Sequence, residues 1–509
     1  MTGGHPRRGQ RHGAGFLLVW GVASALLFVM TAAWSLSTPI PSGPDEPAQY
    51  VRAAAIDHGH LTGRPTPGPD AEIDRTVTLP ATYANLSGPN DCYYGNAAVP
   101  GGCSYLLRTS SKEVPAGTYV SNYPPLYYVL TGVPSLVSSS LWALRAMRLV
   151  SGVIVSLLLG LALAAAVVWS RMRWLVIGIA VAITPLVIYL GSVINPSAME
   201  ISAAIASWTT LVVLVYSRSG DPPPGLVWAW AISSAAFILS RPLSPVFLVC
   251  VVAGVVVLQP RRALELARCR SMKRAVILTA VVLVGELIFE VIDNGFAQGK
   301  LPFSPTTPET QIVTLILGLL PRLAGMTIGS YGSPDTSAPA VAIVIWFFAT
   351  ALLVGAVVVV ARRREAALIV VVVVGTLVIL PFVADLSHAR IHGLLWQGRH
   401  GLPLAVGIPI LAAALLSEHR VRLGRAPPVI LGGLAVGQLV SWYWVLRRYT
   451  VGLGPAVSPL AHVPSAWHPP LSYAVLLPLI VVPTVVLAVM AWVVTRRPAA
   501  ALSEASLAP

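Results

Sequence analysis

Charge is scarce in this chain: only 11% of its 509 residues are Asp, Glu, Lys or Arg, 55% are hydrophobic, and the mean hydropathy is +0.75. Water alone does not solvate such a composition, which excludes an ordinary soluble domain. Lysine is scarcer still, standing only at Lys112, Lys273 and Lys300, and with the Ala, Val and Gly bias this fits a GC-rich bacterial genome. Also missing are a Walker-type phosphate loop, a dinucleotide glycine motif, a zinc-ligand spacing and a nucleophile elbow, so a nucleotide-driven pump is not expected. The formal charge of +14 would suggest a nucleic-acid partner in a soluble protein. Here most Arg falls in short clusters between apolar runs, where it sets membrane orientation, so no nucleic acid is expected.

What is present is a series of apolar runs near 16–36, 145–169, 174–194, 198–216, 225–240, 243–259, 275–293, 339–361, 366–384, 401–416, 428–446 and 472–495. They predict an all-α polytopic membrane protein, a bundle of about 12 transmembrane helices. Arg7, Arg8 and Arg11 precede the first run, Arg171 and Arg173 follow the second, and six basic residues from Arg261 to Arg274 follow the sixth. Arg362 to Arg364, then Arg420, Arg422 and Arg425, then Arg496 and Arg497 complete the pattern. Twelve spans with both termini in the cytoplasm put all these clusters on one side.

Two weaker segments, 123–140 and 311–329, would break that pattern if they crossed, so they are expected to be re-entrant or interfacial helices on the outer side, roofing a cavity. The division that follows is a cytoplasmic N-terminus at 1–15, a first transmembrane helix at 16–36 retained as an anchor, and an extracytoplasmic loop at 37–122. A multipass region at 123–497 and a disordered cytoplasmic tail at 498–509 complete it.

The loop at 37–122 is too long for a plain connection, which marks it as functional or as a small domain. Cys92 and Cys103 lie in it with ten residues between them, and outside the cytoplasm such a pair is expected to form a disulfide. Just past the first run stands Pro44-Asp45-Glu46-Pro47. Acidic residues and Pro also start helices, so Asp45 has a structural reading as an N-cap. Two carboxylates at the membrane surface beside a roofed cavity equally suit a base.

These residues carry a resemblance. Pro44-Asp45-Glu46-Pro47-Ala48-Gln49-Tyr50, Tyr123-Pro124-Pro125-Leu126-Tyr127-Tyr128, Asn195-Pro196, Ser333-Pro334-Asp335-Thr336 and Gln397-Gly398-Arg399 occur in order from the first apolar run to about residue 416. Together they resemble the bacterial domain of unknown function family 2142, itself thought to belong to the GT-C glycosyltransferases. Gln49, Ser197 and His400 depart from the residues expected at their positions in that pattern.

The resemblance implies a GT-C-like helical bundle in the bacterial plasma membrane, with its active site outside the cytoplasm. It implies transfer of a sugar from a polyprenyl-phosphate donor to an envelope glycan or lipid acceptor. Asp45 is the expected general base, with Glu46 as the alternative. Arg399, Arg390 and Arg241 are candidates for the donor phosphate, because guanidinium forks suit phosphate oxygens. For Arg390 and Arg399 snorkelling at the headgroup level is the competing reading, and for Arg241 pairing with an acid in the bundle. Tyr50, Tyr127, Asn195, Asp335, Gln397 and His400 are the expected substrate-binding positions, with Asp335 equally a turn residue. Glu286, Glu290 and Asp293 share one helix face and are read as a metal site, as a sugar-hydroxyl site, or as partners of Arg241 or Arg322; metal dependence stays open. A secondary transporter or a lipid or polysaccharide flippase is the competing function, and a polymerase or ligase with a large outer loop the third.

Overall fold

The computed structural model describes residues 8–66, 74–87, 92–217, 220–293, 307–332, 335–454 and 467–496. Ser333 and Pro334 of the fourth motif and the tail at 498–509 lie outside the described residues. The rest is a helical bundle. Nine helices among the described residues are long and apolar enough to cross a membrane, or ten if the bent pair Ser244–Leu258 and Pro260–Arg268 counts as one span.

The difference from the twelve expected spans has local causes. The run at 174–194 is two short helices, Leu175–Ala182 and Pro185–Gly191, because Pro185 has no N–H to carry a helix through Ile183-Thr184. The run at 225–240 forms only Pro224–Ile238, about 22 Å at ~1.5 Å per residue and short of a ~30 Å hydrocarbon core. The run at 243–259 forms Ser244–Leu258 and then turns by 112° into Pro260–Arg268. By contrast the run at 366–384 is part of a helix spanning Arg363–His392, with one wider turn at Gly375–Ile379. The segment at 123–140 contains Leu126–Gly132 followed by a 3-10 turn at Val133–Leu136, and most of 311–329 lies in the helix Glu309–Met326.

At the centre lies Ser197–Val215, every residue of which is buried. A helix apolar on all sides is stable only when neighbours cover the whole circumference, and here the Leu141–Val168, Pro224–Ile238 and Ser244–Leu258 helices do so. The first helix, Arg8–Leu36, packs along Leu141–Val168 with opposite polarity: Phe16 stacks on Trp169 at 4.3 Å, and Leu36 ends beside the loop domain. The helices Ala340–Val360 and Tyr473–Arg496 expose Val, Leu and Phe along most of their length, the surface expected to meet lipid.

The loop at 37–122 is a small domain. Its helix Glu46–Asp57 packs beside a three-stranded antiparallel sheet of β1 (Arg64–Pro65), β2 (Arg75–Pro80) and β3 (Glu113–Thr118), with Thr76 opposite Gly117. Cys92 and Cys103 are disulfide-bonded. Arg448, on the helix Ala426–Thr450, helps fasten the domain to the bundle, donating to the Tyr93 carbonyl at 2.7 Å and to Asp335 Oδ2 at 2.9 Å. It also lies over the rings of Tyr93 and Tyr449. Leu453 N–H to the Ala97 carbonyl and Gly101 N–H to the Tyr449 carbonyl, both 2.8 Å, add main-chain ties.

Candidate functional site

The adjacent carboxylates Asp45 and Glu46 have opposite fates. Glu46 is sealed from solvent and pairs bidentately with Arg148, Nε to Oε1 at 2.7 Å and Nη2 to Oε2 at 2.6 Å. Its remaining acceptor capacity is met by the N–H groups of Ser42 and Gly43, each at 2.7 Å, and of Ile194 at 3.1 Å. Arg148, equally buried, also donates to the carbonyl of Pro39 at 2.8 Å. The pair therefore folds the turn after the first helix onto the bundle. Gly43 is required there, because a Cβ would sit 2.8 Å from Val193 Cβ. A carboxylate so fully paired cannot reach an acceptor, so Glu46 is a structural residue.

With Glu46 held, Asp45 is turned outward. Its backbone is left-handed, at φ 58° and ψ 12°, a region that Asp tolerates better than most residues and that carries strain when the surroundings enforce it. It stands at the N-cap position but its side chain caps nothing. Instead Oδ2 accepts from Arg399 Nη2 at 2.7 Å, and Oδ1 accepts from the Tyr119 hydroxyl at 3.0 Å. Enclosure alone would push the Asp45 carboxyl up. The Arg399 charge and hydrogen bond, the Tyr119 hydroxyl and the more distant Arg241 outweigh it and hold the group below the ordinary carboxylate value.

Arg399 is about nine-tenths buried, yet among the described residues its Nε and Nη1 have no hydrogen-bond partner. Buried guanidinium donors are normally satisfied, so two idle ones beside a carboxylate mark a place for an anion. The helix Gly398–Ala405 delivers Arg399 there, with Gly398 pressed against Met326 so closely that a Cβ would come within 2.5 Å of its carbonyl carbon. Gln397 precedes that helix and donates its N–H to His400 Nδ1 at 3.3 Å, so these two residues shape the turn.

Arg241 lies between the Pro224–Ile238 and Ser244–Leu258 helices. It donates from Nη1 to Ser197 Oγ at 3.0 Å, lies 3.8 Å from Glu200 Oε2, and sits 5.5 Å over the Tyr123 ring. Glu200 Oε1 accepts from Ser244 at 2.9 Å. Thus Asp45, Arg399 and Arg241 form one electrostatic group.

On its other flank Asp45 borders a cavity of about 400 Å³ against the loop-domain sheet, lined by Thr66, Arg75, Thr76, Tyr94 and Tyr119 among others. The site thus has a cationic side facing the helices and a hydroxyl-rich, aromatic side facing the loop domain.

The other expected positions scatter. Tyr50 donates to the Leu144 carbonyl at 2.9 Å and Tyr127 to Ser151 Oγ at 2.8 Å, both rings fully buried. Asn195 donates from Nδ2 to the Pro44 carbonyl at 3.0 Å, which steadies the turn carrying Asp45. Asp335 is locked to Arg448 with both side chains nearly inaccessible. Arg390 is exposed on the last turn of the Arg363–His392 helix and makes no hydrogen bond to Asp45, whose partners are Arg399 and Tyr119. Glu286 and Glu290 are buried on the spanning helix Arg270–Asp293, and among the described residues no donor meets Glu286 Oε1, either Glu290 oxygen or Asp293 Oδ2. Among the described residues no group of three or more His, Cys, Asp or Glu is arranged to hold a metal ion. The reading of this stripe as partners of Arg241 is not what the structure shows, since Arg241 meets Glu200.

Tyr119, Glu200, Arg148 and Arg448 were not anticipated as participants. No local pattern marks them, because each acts on a partner far along the chain.

The sequence model of a family described as "Predicted membrane protein (DUF2142)" matches residues 28–408. No curated protein matches. Among solved structures, the crystal structure of ArnT from Cupriavidus metallidurans bound to undecaprenyl phosphate is similar to this chain at 14% identity, covering 94% of this chain and 75% of that one, with a TM-score of 0.44.

Proposed function

This chain belongs to the DUF2142 family of predicted membrane proteins, and on that premise we propose that it is a membrane glycosyltransferase. It moves a sugar from a polyprenyl-phosphate donor to the hydroxyl of an envelope glycan or lipid on the outer face of the bacterial plasma membrane. The observation that carries the reading is the Asp45–Arg399 pair, a partly exposed carboxylate held by a guanidinium with two idle donors.

In the transfer, the acceptor oxygen attacks the anomeric carbon and its proton passes to Asp45. The bond from the anomeric carbon to the phosphate oxygen breaks, and its electron pair leaves on the lipid phosphate. Arg399, with Arg241 behind it, offers donors to that developing charge. A carboxylate held low by an arginine is a weak base, so the resting pair is not the reacting one. A donor phosphate at the free Nε and Nη1 draws Arg399 away from Asp45 and sets a second negative charge nearby. Both changes raise the carboxyl and make it a better proton acceptor when donor is in place.

Deleting the gene and restoring it as wild type or Asp45→Asn at matched membrane levels tests this, with the linkages of the envelope glycans as the readout. Loss of one linkage that only the wild type restores supports transfer; full restoration by the variant removes Asp45 from the chemistry.

A second reading, secondary transport or flipping, draws on Glu286 and Glu290, whose buried, unmet carboxylates resemble a proton relay. It requires that Glu290→Gln stop movement of a solute or lipid while leaving glycan linkages unchanged.

A further inference from the structure

At the end of the bundle remote from Asp45, four guanidiniums meet around one cavity of about 310 Å³: Arg173, Arg422, Arg425 and Arg496, with Trp174 and Trp492 as its flat walls. The remoteness follows from helix polarity. The Leu141–Val168 helix starts beside the loop domain and ends just before Arg173, and Arg496 closes the Tyr473–Arg496 helix at the same end. Among the described residues no carboxylate lines the cavity. Arg173 lies 4.6 Å over the Trp174 ring and Arg496 3.9 Å over the Trp492 ring, which fixes the guanidinium planes. Trp174 Nε1 and Arg173 Nη2 both donate to the Val421 carbonyl, at 2.9 and 3.0 Å, so the segment bearing Arg422 and Arg425 is tied to the same wall.

A second observation says what such a cavity is for. The helices Leu175–Ala182, Ala426–Thr450 and Tyr473–Arg496, which border this cavity at their ends, also line with their neighbours a separate apolar crevice of about 100 Å³ that includes Leu431 and Leu434, Leu487 and Ala488, and Val176. Further along, the last helix exposes Val485, Val489 and Val493. Arginines that only mark orientation need neither a shared cavity nor a crevice beneath it. Like charges gathered without a counter-charge repel one another, and an anion there relieves the repulsion. We propose that this is a binding site for an anionic phospholipid, its phosphate headgroup held by the four arginines and an acyl chain laid in the crevice. The combination of charge above and apolar walls below selects a lipid over free phosphate.

The test uses the full chain, purified in detergent and stripped of lipid, and reads bound lipid by native mass spectrometry together with the thermal unfolding midpoint. Long-chain phosphatidylglycerol should be retained and raise the midpoint, whereas phosphatidylcholine with the same chains and inorganic phosphate should do neither. Arg422→Gln with Arg425→Gln changes exposed side chains only, so the fold should persist by circular dichroism, and retention should fall about tenfold or more. Ala488→Phe, which fills the crevice, should weaken the long-chain lipid and spare its dihexanoyl analogue. Equal retention of the two headgroups overturns the proposal, as does undiminished phosphatidylglycerol binding in the double variant. A midpoint raised as much by phosphate as by lipid replaces it with a free-phosphate site.

Discussion

Arg399 Nη2 donates to Asp45 Oδ2 at 2.7 Å, joining residues 354 positions apart into one pair at the rim of the helical bundle. Around it the two adjacent carboxylates have different surroundings. Glu46, the next residue, is the supporting carboxylate, and Asp45 is the one left with a cavity in front of it.

Asp45→Asn keeps the volume of the side chain and removes its basicity. Initial rates of sugar transfer in proteoliposomes should fall on the order of 10²-fold or more, with the unfolding midpoint close to that of the wild type. Retained activity would mean that the proton leaves by another route.

Glu46→Gln should do the reverse. It leaves the Arg148 charge buried without its counter-ion, a loss of about 3–5 kcal/mol, and should appear as poor folding and early aggregation on size-exclusion chromatography. Combining it with Arg148→Met should recover part of that loss, because the two residues share one interaction. An additive double variant would show that the pair is not coupled.

Arg399→Ala should weaken use of the lipid-linked donor more than use of the acceptor, and Arg399→Lys should recover little, since an ammonium lacks the fork that meets two oxygens. The pH profile should move as well. Without Arg399, enclosure is the larger remaining influence on Asp45 and pushes its carboxyl up, so the acid limb of kcat/KM should shift to higher pH. An unmoved limb would assign Arg399 a purely structural role.

Asp57 offers a stability test away from the site. Burial, only partly offset by His58, pushes its carboxyl from 3.8 up to about 6. A carboxyl raised by folding favours the protonated form, so the folded state loses stability as pH rises from 3.8 through about 6, and is unaffected below. The change is at most about 3 kcal/mol, from roughly two units at ~1.36 kcal/mol each. Asp57→Asn should therefore match the wild type at pH 4 and unfold at a higher temperature at pH 7; equal midpoints at both would show that the group titrates normally.

The helical class was legible because apolar runs are local signals, and the Pro-framed acidic pair drew attention to Asp45 and Glu46 alike. What separated Asp45 from Glu46 was not local. Glu46 is structural because Arg148, 102 residues away, lies beneath it, and Asp335 is closed off because Arg448, 113 residues away, reaches it. Hydropathy also reads Ile183-Thr184-Pro185 as part of a continuous span, since it weighs side chains and not the missing N–H that splits the helix. Tyr119 escaped for a related reason: it follows β3 and meets Asp45 only once the sheet has formed.

Arg448 has a consequence for the order of assembly. The loop domain it fastens is made some 350 residues earlier in synthesis; the tie to Val99 spans 349 positions. Asp45 is likewise made 354 residues before its partner Arg399. Glu46 can meet Arg148 early, but the ties of Tyr93 and Val99 wait for the helix bearing Arg448. Formation of the Asp45–Arg399 pair and of the Arg448 ties is thus a late event in biogenesis, coupled to completion of the bundle.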